Sequence, residues 1–312
     1  MANLVAIEIG GTKLQLVRGN AQGKITERAR FHVDRSQGAQ GILRHIEQTL
    51  DAFQRDAQIE AIGVGFGGPF NRASGTVAAS YHIEGWHGFP LRDWLQERAR
   101  CPVEIDNDAN VAALAEAHFG AGRGHNPVFY ITLGSGVGGG LIVDSKPYHG
   151  AGPTEGEIGH IRLDPQGTIV EDRCSGWSLD LHIRQAIEAD TAAPPGPLAQ
   201  AVRAQPKPGG EAKHLAPAIA LGDPLATALL DAHTAHFAHA LSHVVQLLAP
   251  EIIVLGGGVS LIGEPFRARV ERYLRPLQMN VFQPGPKIAL AATGEDVVPF
   301  GALRLAADAL LP

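Results

Sequence analysis

Two acids and two amides crowd one short bend of this 312-residue chain: Asp106, Asn107, Asp108 and Asn110. Carboxylates accept protons, and amides offer a donor and an acceptor together, so such a group can hold a polar ligand and act on it as a base. The residues before the bend, Val103 and Ile105 behind Pro102, favour a β-strand. From Ala109 onward the alanine-rich sequence favours a helix, stopped by Gly120 and Gly122. The acids therefore stand at a strand-to-helix junction, at the carboxyl edge of a sheet, where open α/β folds bind their ligands. The same residues also suit capping of the helix, which on this segment alone is the stronger reading.

Three glycine turns flank the bend in sequence. Glu-Ile-Gly-Gly-Thr-Lys at 8–13 ends one strand and begins another, so Gly10 and Gly11 let backbone N–H groups approach an anion, with Thr12 adding a hydroxyl. A plain β-hairpin would use paired glycine too. The second turn, at 132–140, carries five glycines between Gly134 and Gly140, a density that turn geometry alone does not require. The third, Gly256-Gly257-Gly258, follows the apolar run Ile252 to Leu255. None has the Lys-Ser/Thr ending of a Walker loop, and none carries the dinucleotide fingerprint with its downstream acid. The arrangement implies phosphates on one side of a cleft and a base on the other.

The elements that must carry these turns follow from periodicity. Strands are expected over 4–9, 13–18, 24–33 and 59–66, with a helix over 40–55 whose apolar residues Ile42, Leu43, Ile46, Leu50 and Phe53 share one face. A helix closes the segment 86–100. After Gly120 the pattern restarts: a strand at 128–133, a glycine turn over 134–140 and a returning strand at 141–143, echoing residues 4–18. Residues 191–213, rich in Pro, Gly and Ala, read as a loop; 224–248 reads as a long helix and 301–311 as a last helix that folds back onto the first lobe. Alternating strands and helices give an α/β protein with a mixed sheet in each of two lobes.

Composition narrows the class. Apolar residues make up 45%, ordinary for a globular protein, and the net charge of -6 argues against a nucleic-acid surface. Cys101 and Cys174 are too few for a disulfide framework, no signal peptide opens the chain, and no apolar run is long enough to span a bilayer. A cytoplasmic enzyme acting on small molecules is expected, without nucleic-acid or membrane partners. His233, His236, His239 and His243 fall at helical spacing but read as ordinary helix positions rather than metal ligands.

Taken together, these motifs resemble those of the ROK family of sugar kinases, glucokinase-like members of the actin, Hsp70 and hexokinase-like ATPase superfamily. Residues 8–13 resemble the family's Asp-x-Gly-Gly-Thr-Lys, and 132–140 its Leu-Gly-Thr-Gly-Val-Gly-Gly-Gly. Residues 106–116 resemble Asn-Asp-Ala-Asn-x-Ala-Ala-x-x-Glu, 156–160 are Gly-Glu-Ile-Gly-His, and 251–260 resemble the adenosine-side strand and turn. The resemblance implies a two-lobed actin-like (ribonuclease H-like) fold with an interlobe cleft, divided as 1–108 plus 299–312 and 109–298. It implies ATP and Mg²⁺ as cofactors, and a homo-oligomer, dimer or tetramer. Asp108 would be the base that takes the proton of a sugar hydroxyl, usually on C6. Asn107, Glu157, His160, Asp180, Gly68 and His82 would hold the sugar. The turns of Gly10, Gly11 and Thr12 and of Gly134, Ser135 and Gly136 would hold the phosphates, and Gly256, Gly257 and Gly258 the nucleoside. A sugar-sensing repressor is disfavoured, since the first motif starts at residue 8 with no DNA-binding segment ahead of it. A sugar-binding or regulatory ROK protein with impaired catalysis is the alternative.

The chain departs from that family pattern in four places. Tyr81 and His82 replace a Pro-Asn pair beside the expected sugar pocket, and Asp180 stands where a sugar-binding Glu is common. Three cysteines that many members use with a histidine to hold structural zinc align with Glu171, Arg173 and Ser178, leaving too few ligands for zinc. Position 8 is Glu where the motif has Asp, a residue that orients Mg²⁺ through water; the extra methylene shifts the carboxylate by roughly 1.5 Å. Glu8→Asp is therefore expected to change the Mg²⁺ concentration needed for half-maximal turnover. An unaltered Mg²⁺ titration would show that the extra length does not matter.

Overall fold

The computed structural model describes residues 3–80, 83–152, 155–191 and 194–311. In chain order, β1 (Leu4–Ile9), β2 (Lys13–Gly19) and β3 (Ile25–His32) form a meander, followed by α1 (Gly38–Asp56) and β4 (Ala61–Phe66). A two-residue hairpin, β5 (Phe70–Asn71) and β6 (Thr76–Val77), precedes α2 (Leu91–Ala99), β7 (Val103–Asn107) and α3 (Asp108–Phe119). Then come β8 (Val128–Leu133), β9 (Val137–Val143), β10 (Lys146–Pro147), α4 (Val170–Cys174), α5 (Gly176–Ala189), α6 (Pro197–Arg203), α7 (Leu215–Ala220) and α8 (Pro224–Leu248). The chain closes with β11 (Ile252–Gly256), α9 (Glu264–Leu274), β12 (Lys287–Leu290) and α10 (Val297–Asp308). Short 3₁₀ turns punctuate the loops, and no helix among the described residues is long and apolar enough to cross a membrane.

Two compact units emerge. The first comprises the chain up to Gly124, Gly140–Glu155 and everything from Ala292; the second comprises His125–Gly139 and Gly156–Ala291. The division expected from sequence at residue 108 differs from this one, because α3 packs with α10 and β4 of the first unit.

In the first unit the sheet runs β3-β2-β1-β4-β7, with β1, β4 and β7 parallel and β2 antiparallel to both its neighbours. Alternation along β1 sorts its side chains to two cores. Val5, Ile7 and Ile9 join Ile42, Ile46, Leu50 and Leu95 beneath α1 and α2, while Leu4 and Ala6 face Ala302, Leu303 and Ala306 of α10. Burial on both faces explains why β1 and β4 read as continuous apolar runs. The second sheet runs β10-β9-β8-β11-β12, with β11 parallel to β8 and β12.

Two segments differ from expectation. The glycine turn expected over 134–140 is shorter, since β9 begins at Val137 and takes up the last three glycines. A Cβ on Gly140 would lie 2.8 Å from the Ala113 Cβ, so this glycine serves close packing against α3 rather than the turn. The stretch 191–213 is not all loop, because Pro197 starts α6, Leu198 and Ala199 are buried, and the Asp223 carboxylate accepts the Leu198 N–H at 2.8 Å.

Close backbone approach also fixes α10, the helix that bears on α3, β4 and β1. A Cβ on Gly301 would stand 1.8 Å from the Val111 carbonyl oxygen of α3, and one on Gly63 would stand 1.9 Å from the Ala302 carbonyl oxygen. Backbone, not a yielding side chain, blocks both positions. Gly301→Ala is expected to destabilise the protein by about 3 kcal/mol, the upper part of the usual overpacking range. Urea unfolding of the variant would read this, and a midpoint equal to wild type would mean that α3 and α10 separate freely.

Candidate active site

Parallel pairing brings three strand ends of the first unit level. Ile9 of β1 pairs with Phe66 of β4, and Phe66 pairs with Asn107 of β7. Beyond that line lie Gly10-Gly11-Thr12, Gly67-Gly68 and Asp108. Asn107 is the N-cap of α3: it has extended backbone, and its side-chain oxygen accepts the Ala109 N–H at 2.8 Å. Its amide nitrogen donates to the Gly68 carbonyl at 3.4 Å, tying the cap to the neighbouring turn. Asp108, half-buried, is the first residue of α3, where the positive end of the helix dipole favours a carboxylate. A side chain at Gly67 would place its Cβ 3.3 Å from Asp108 Oδ2, so glycine lets this turn pass close to that carboxylate. Asn107 thus caps α3, as the local reading of the bend expected.

Sequence reasoning missed what holds this junction from behind. Asp106 is 3% exposed, and its Oδ1 accepts from the Asn107 backbone N–H (2.7 Å), from Asn110 Nδ2 (3.1 Å) and from Arg72 Nη1 (3.4 Å). Glu155 shares two of these donors: Asn110 Nδ2 at 2.7 Å and Arg72 through Nη1 at 3.0 Å and Nη2 at 3.4 Å. The ring of His149 lies between the acids, Nδ1 at 2.8 Å from Glu155 and Nε2 at 3.4 Å from Asp106. Burial pushes the Asp106 carboxyl above its ordinary range. Burial also pushes Glu155 upward, but hydrogen bonds from His149, Arg72 and Asn110 outweigh it and hold that carboxyl low. Ligand atoms of Asp106, His149 and Glu155 lie within 4.8 Å of one another, a spacing that could suit a metal. Arg72 already bridges both carboxylates as their cation. The only signals for this network in the sequence are an arginine, a histidine and a glutamate in loops.

At the first turn the Gly10 N–H donates to the Lys13 carbonyl at 2.9 Å, and Arg35 Nε donates to the Gly11 carbonyl at 3.1 Å. Glu8 is held from both sides, by Lys13 Nζ at 2.8 Å and Gln15 Nε2 at 2.5 Å. Lys13 is therefore a strand ion-pair partner of Glu8.

The second unit presents its own strand-end turns. After β8, the Gly134 carbonyl accepts the Gly176 N–H at 2.7 Å, and Glu171 Oε2 accepts the Val137 N–H at 2.8 Å, so α4 and the start of α5 brace the turn holding Gly134, Ser135 and Gly136. A Cβ at Gly134 would meet nothing within 4 Å, leaving the backbone there open. Beyond β11, Gly257 adopts φ +76 and lies so close to Leu133 that a Cβ would come within 2.5 Å of its backbone. Gly256 is buried and Gly258 exposed. In Gly-Glu-Ile-Gly-His, Ile158 and Gly159 are buried, with Gly159 against the Val137 carbonyl, which leaves Glu157 and His160 exposed on one 3₁₀ turn.

Three expected site residues fare differently. Asp180 is 7% exposed, and its two oxygens accept the backbone N–H groups of Gly210 (2.7 Å) and Ala212 (2.8 Å). Its carboxylate anchors that turn instead of facing a sugar, because α5 aims it inward. His82, with Tyr81, lies outside the described residues. Of the helical histidines, His233 is buried, and burial pushes its pKa down to about 4.

A sequence model described as the ROK family matches residues 4–309. The chain is similar to a glucokinase of Thermotoga maritima (28% identical over 292 residues, 90% of each chain) and to one of Halalkalibacterium halodurans (30% over 307 residues, 94% of this chain and 91% of that one). Among solved structures it resembles a ROK family glucokinase from Streptomyces griseus in complex with glucose and AMPPNP, with TM-score 0.82 and 29% identity over 98% of this chain and 100% of that one. The fold is thus the two-lobed actin-like ATPase fold.

Removing Arg72 would leave two buried carboxylates facing each other. Arg72→Met is expected to destabilise the chain by about 3 kcal/mol, the low end for losing one partner of a buried pair, because Arg72 keeps 23% of its side chain exposed. Adding Glu155→Gln should restore part of that loss in chemical denaturation. No recovery in the double variant would mean that the two carboxylates do not repel.

Proposed function

This chain belongs to the ROK family, and on that footing we propose how its residues divide the work of phosphorylating a sugar. The chain is an ATP-dependent sugar kinase, as its glucokinase relatives are. The observation that supports the assignment of roles is the placement of Asp108 at the start of α3, beside the Gly67-Gly68 turn and level with the end of β1.

Asp108 accepts the proton of the attacking hydroxyl, which we assign to C6 of a hexose or related sugar. Phosphoryl transfer has a loose transition state, so the carboxylate acts as much by aligning the oxygen as by removing its proton. Asn107 donates to the sugar through its amide group, which is not used in capping, and Gly68 offers backbone at the same level. Glu157 and His160, exposed on their shared turn, add a carboxylate and an imidazole suited to vicinal hydroxyls. Gly10, Gly11 and Thr12 in one unit and Gly134, Ser135 and Gly136 in the other hold the phosphates with backbone and hydroxyl donors, and Gly256 to Gly258 lie against the nucleoside.

The carboxylates of Glu8, on β1, and Asp108, at the start of α3, are a donor set that would suit hydrated Mg²⁺ carried with the nucleotide. That ion supplies neutralisation of the phosphate charge. Glu8 enters the role already held by Lys13 and Gln15, so its carboxylate is oriented before any ligand arrives.

The test is Asp108→Asn, which keeps shape and removes the base. Turnover with ATP and the best substrate from a panel of hexoses, N-acetylhexosamines and polyols should fall roughly 10²–10⁴-fold, while sugar affinity changes little. Wild-type turnover in this variant would overturn the assignment.

A further inference from the structure

The first unit has a second concavity, at the far end of α3 from Asp108. Phe119 lies 11 residues beyond Asp108 in the same helix, about 16 Å away at 1.5 Å per residue. There the β2–β3 turn, the end of α3 and the start of α10 enclose an open pocket of about 660 Å³, within the size range of small-molecule sites.

Its chemistry is uneven in a way that specifies a ligand. Its apolar side is aromatic: Phe119 and Phe300 stand with ring centroids 6.2 Å apart and planes 58° apart, forming an angled apolar cleft. Gly23, at φ +77, comes over these rings without a side chain; a Cβ there would sit 3.5 Å from Phe300 and 3.7 Å from Phe119. The rim is basic. Arg123 is exposed, and among the described residues its guanidinium has no carboxylate partner. Arg304 pairs with Asp308 through Nε and Nη2, which leaves Nη1 uncommitted. No acid lines the pocket.

The remaining walls are already satisfied and add no charge. The N–H groups of Ala292 and Thr293 and the Thr293 hydroxyl all donate to the fully buried Glu116 carboxylate, at 2.9, 2.9 and 2.6 Å. Nε2 of His118 donates to the Ser145 carbonyl at 3.1 Å, and burial together with the nearby Arg304 charge holds this histidine below its usual pKa. Recognition of charge therefore falls to the two arginines. Guanidinium groups lining the same pocket as a pair of tilted aromatic rings match a phosphate joined to an apolar ring.

We propose that this pocket binds a small phosphomonoester with a flat, apolar body, with its phosphate on Arg123 and Arg304 and its ring over Phe119 and Phe300. The site stands apart from the residues assigned to phosphoryl transfer and does not rest on that assignment.

Calorimetric titration of the full chain with phenyl phosphate, in the presence of glucose and a non-hydrolysable ATP analogue, tests it. One saturable site is expected, with phenol and inorganic phosphate each binding at least roughly tenfold more weakly. Arg123→Glu, an exposed substitution, should weaken phenyl phosphate at least roughly tenfold and leave kinase turnover without the ligand unchanged. Undetectable binding, equal binding of inorganic phosphate, or undiminished affinity in Arg123→Glu would each overturn the proposal. Kinase turnover is read separately, so failure here is distinct from failure of the Asp108 assignment.

Discussion

A carboxylate taken out of water has to find donors, and the first half of the site is built around that demand at Asp106. One oxygen of this buried residue accepts the N–H of Asn107, which fixes the backbone at the residue that caps α3. Asn110, one turn into α3, donates to the same oxygen, so the strand end and the helix start are bound to a common point. Asp108 lies between them in sequence and inherits its position. Arg72 and His149 complete the charge balance and bring Glu155 in from a distant loop. Unpaired burial of such charges would cost several kcal/mol, so the network's members depend on one another. Asp108 is half-exposed, and Asp106, which fixes the backbone around it, is buried.

Glycine performs the corresponding task for the backbone. Gly63 and Gly301 let β4, α10 and α3 approach until carbonyl oxygens occupy the space where side chains would be. Glu116, fully buried near the end of α3, then accepts the N–H groups of Ala121, Ala292 and Thr293. Those residues border the points where the chain leaves the first unit after Gly124 and returns at Ala292. A single helix is therefore fixed at its start by Asp106, along its side by Gly301, and at its end by Glu116. Each constraint is backbone-directed, which makes the placement insensitive to the rotamers around it.

Much of this was legible in the sequence, for a physical reason. Strand alternation, helical period and glycine at strand ends are local signals, and they located β1, β2, α1, β4, β8, α8 and β11 together with the three turns. Interactions between distant positions leave no local signal. Asp106 and Glu155 meet Arg72 across 34 and 83 residues, and nothing near Arg72 marks it as their partner. Gly301 looks like a poor helix residue until the Val111 carbonyl is seen against it. Asp180 was misjudged in the opposite sense. Its position in the motif implied a ligand contact, but backbone N–H groups 30 and 32 residues onward claim both its oxygens. The histidines of α8 show the same limit, since spacing alone does not reveal that His233 is buried in the core.

The segment after Gly-Glu-Ile-Gly-His carries this reasoning one step further. At the positions where related chains place metal-binding cysteines, this one has Glu171, Arg173 and Ser178, and two of the three have definite work. Glu171 accepts the Val137 N–H and so braces the glycine turn after β8, while the Ser178 hydroxyl donates to the Asp172 carbonyl at 2.6 Å. The Asp172 side chain accepts the Ile169 N–H at the start of α4, and Ser175 caps α5 by accepting the Ser178 N–H. The remaining thiol, Cys174, is fully buried, and burial pushes its pKa up to about 12. Hydrogen-bonding caps and a small apolar core therefore give this loop its shape. They also connect it to the glycine turn after β8 through Glu171. These contacts are distributed along α4 and α5, so the order of the loop depends on the packing of those helices.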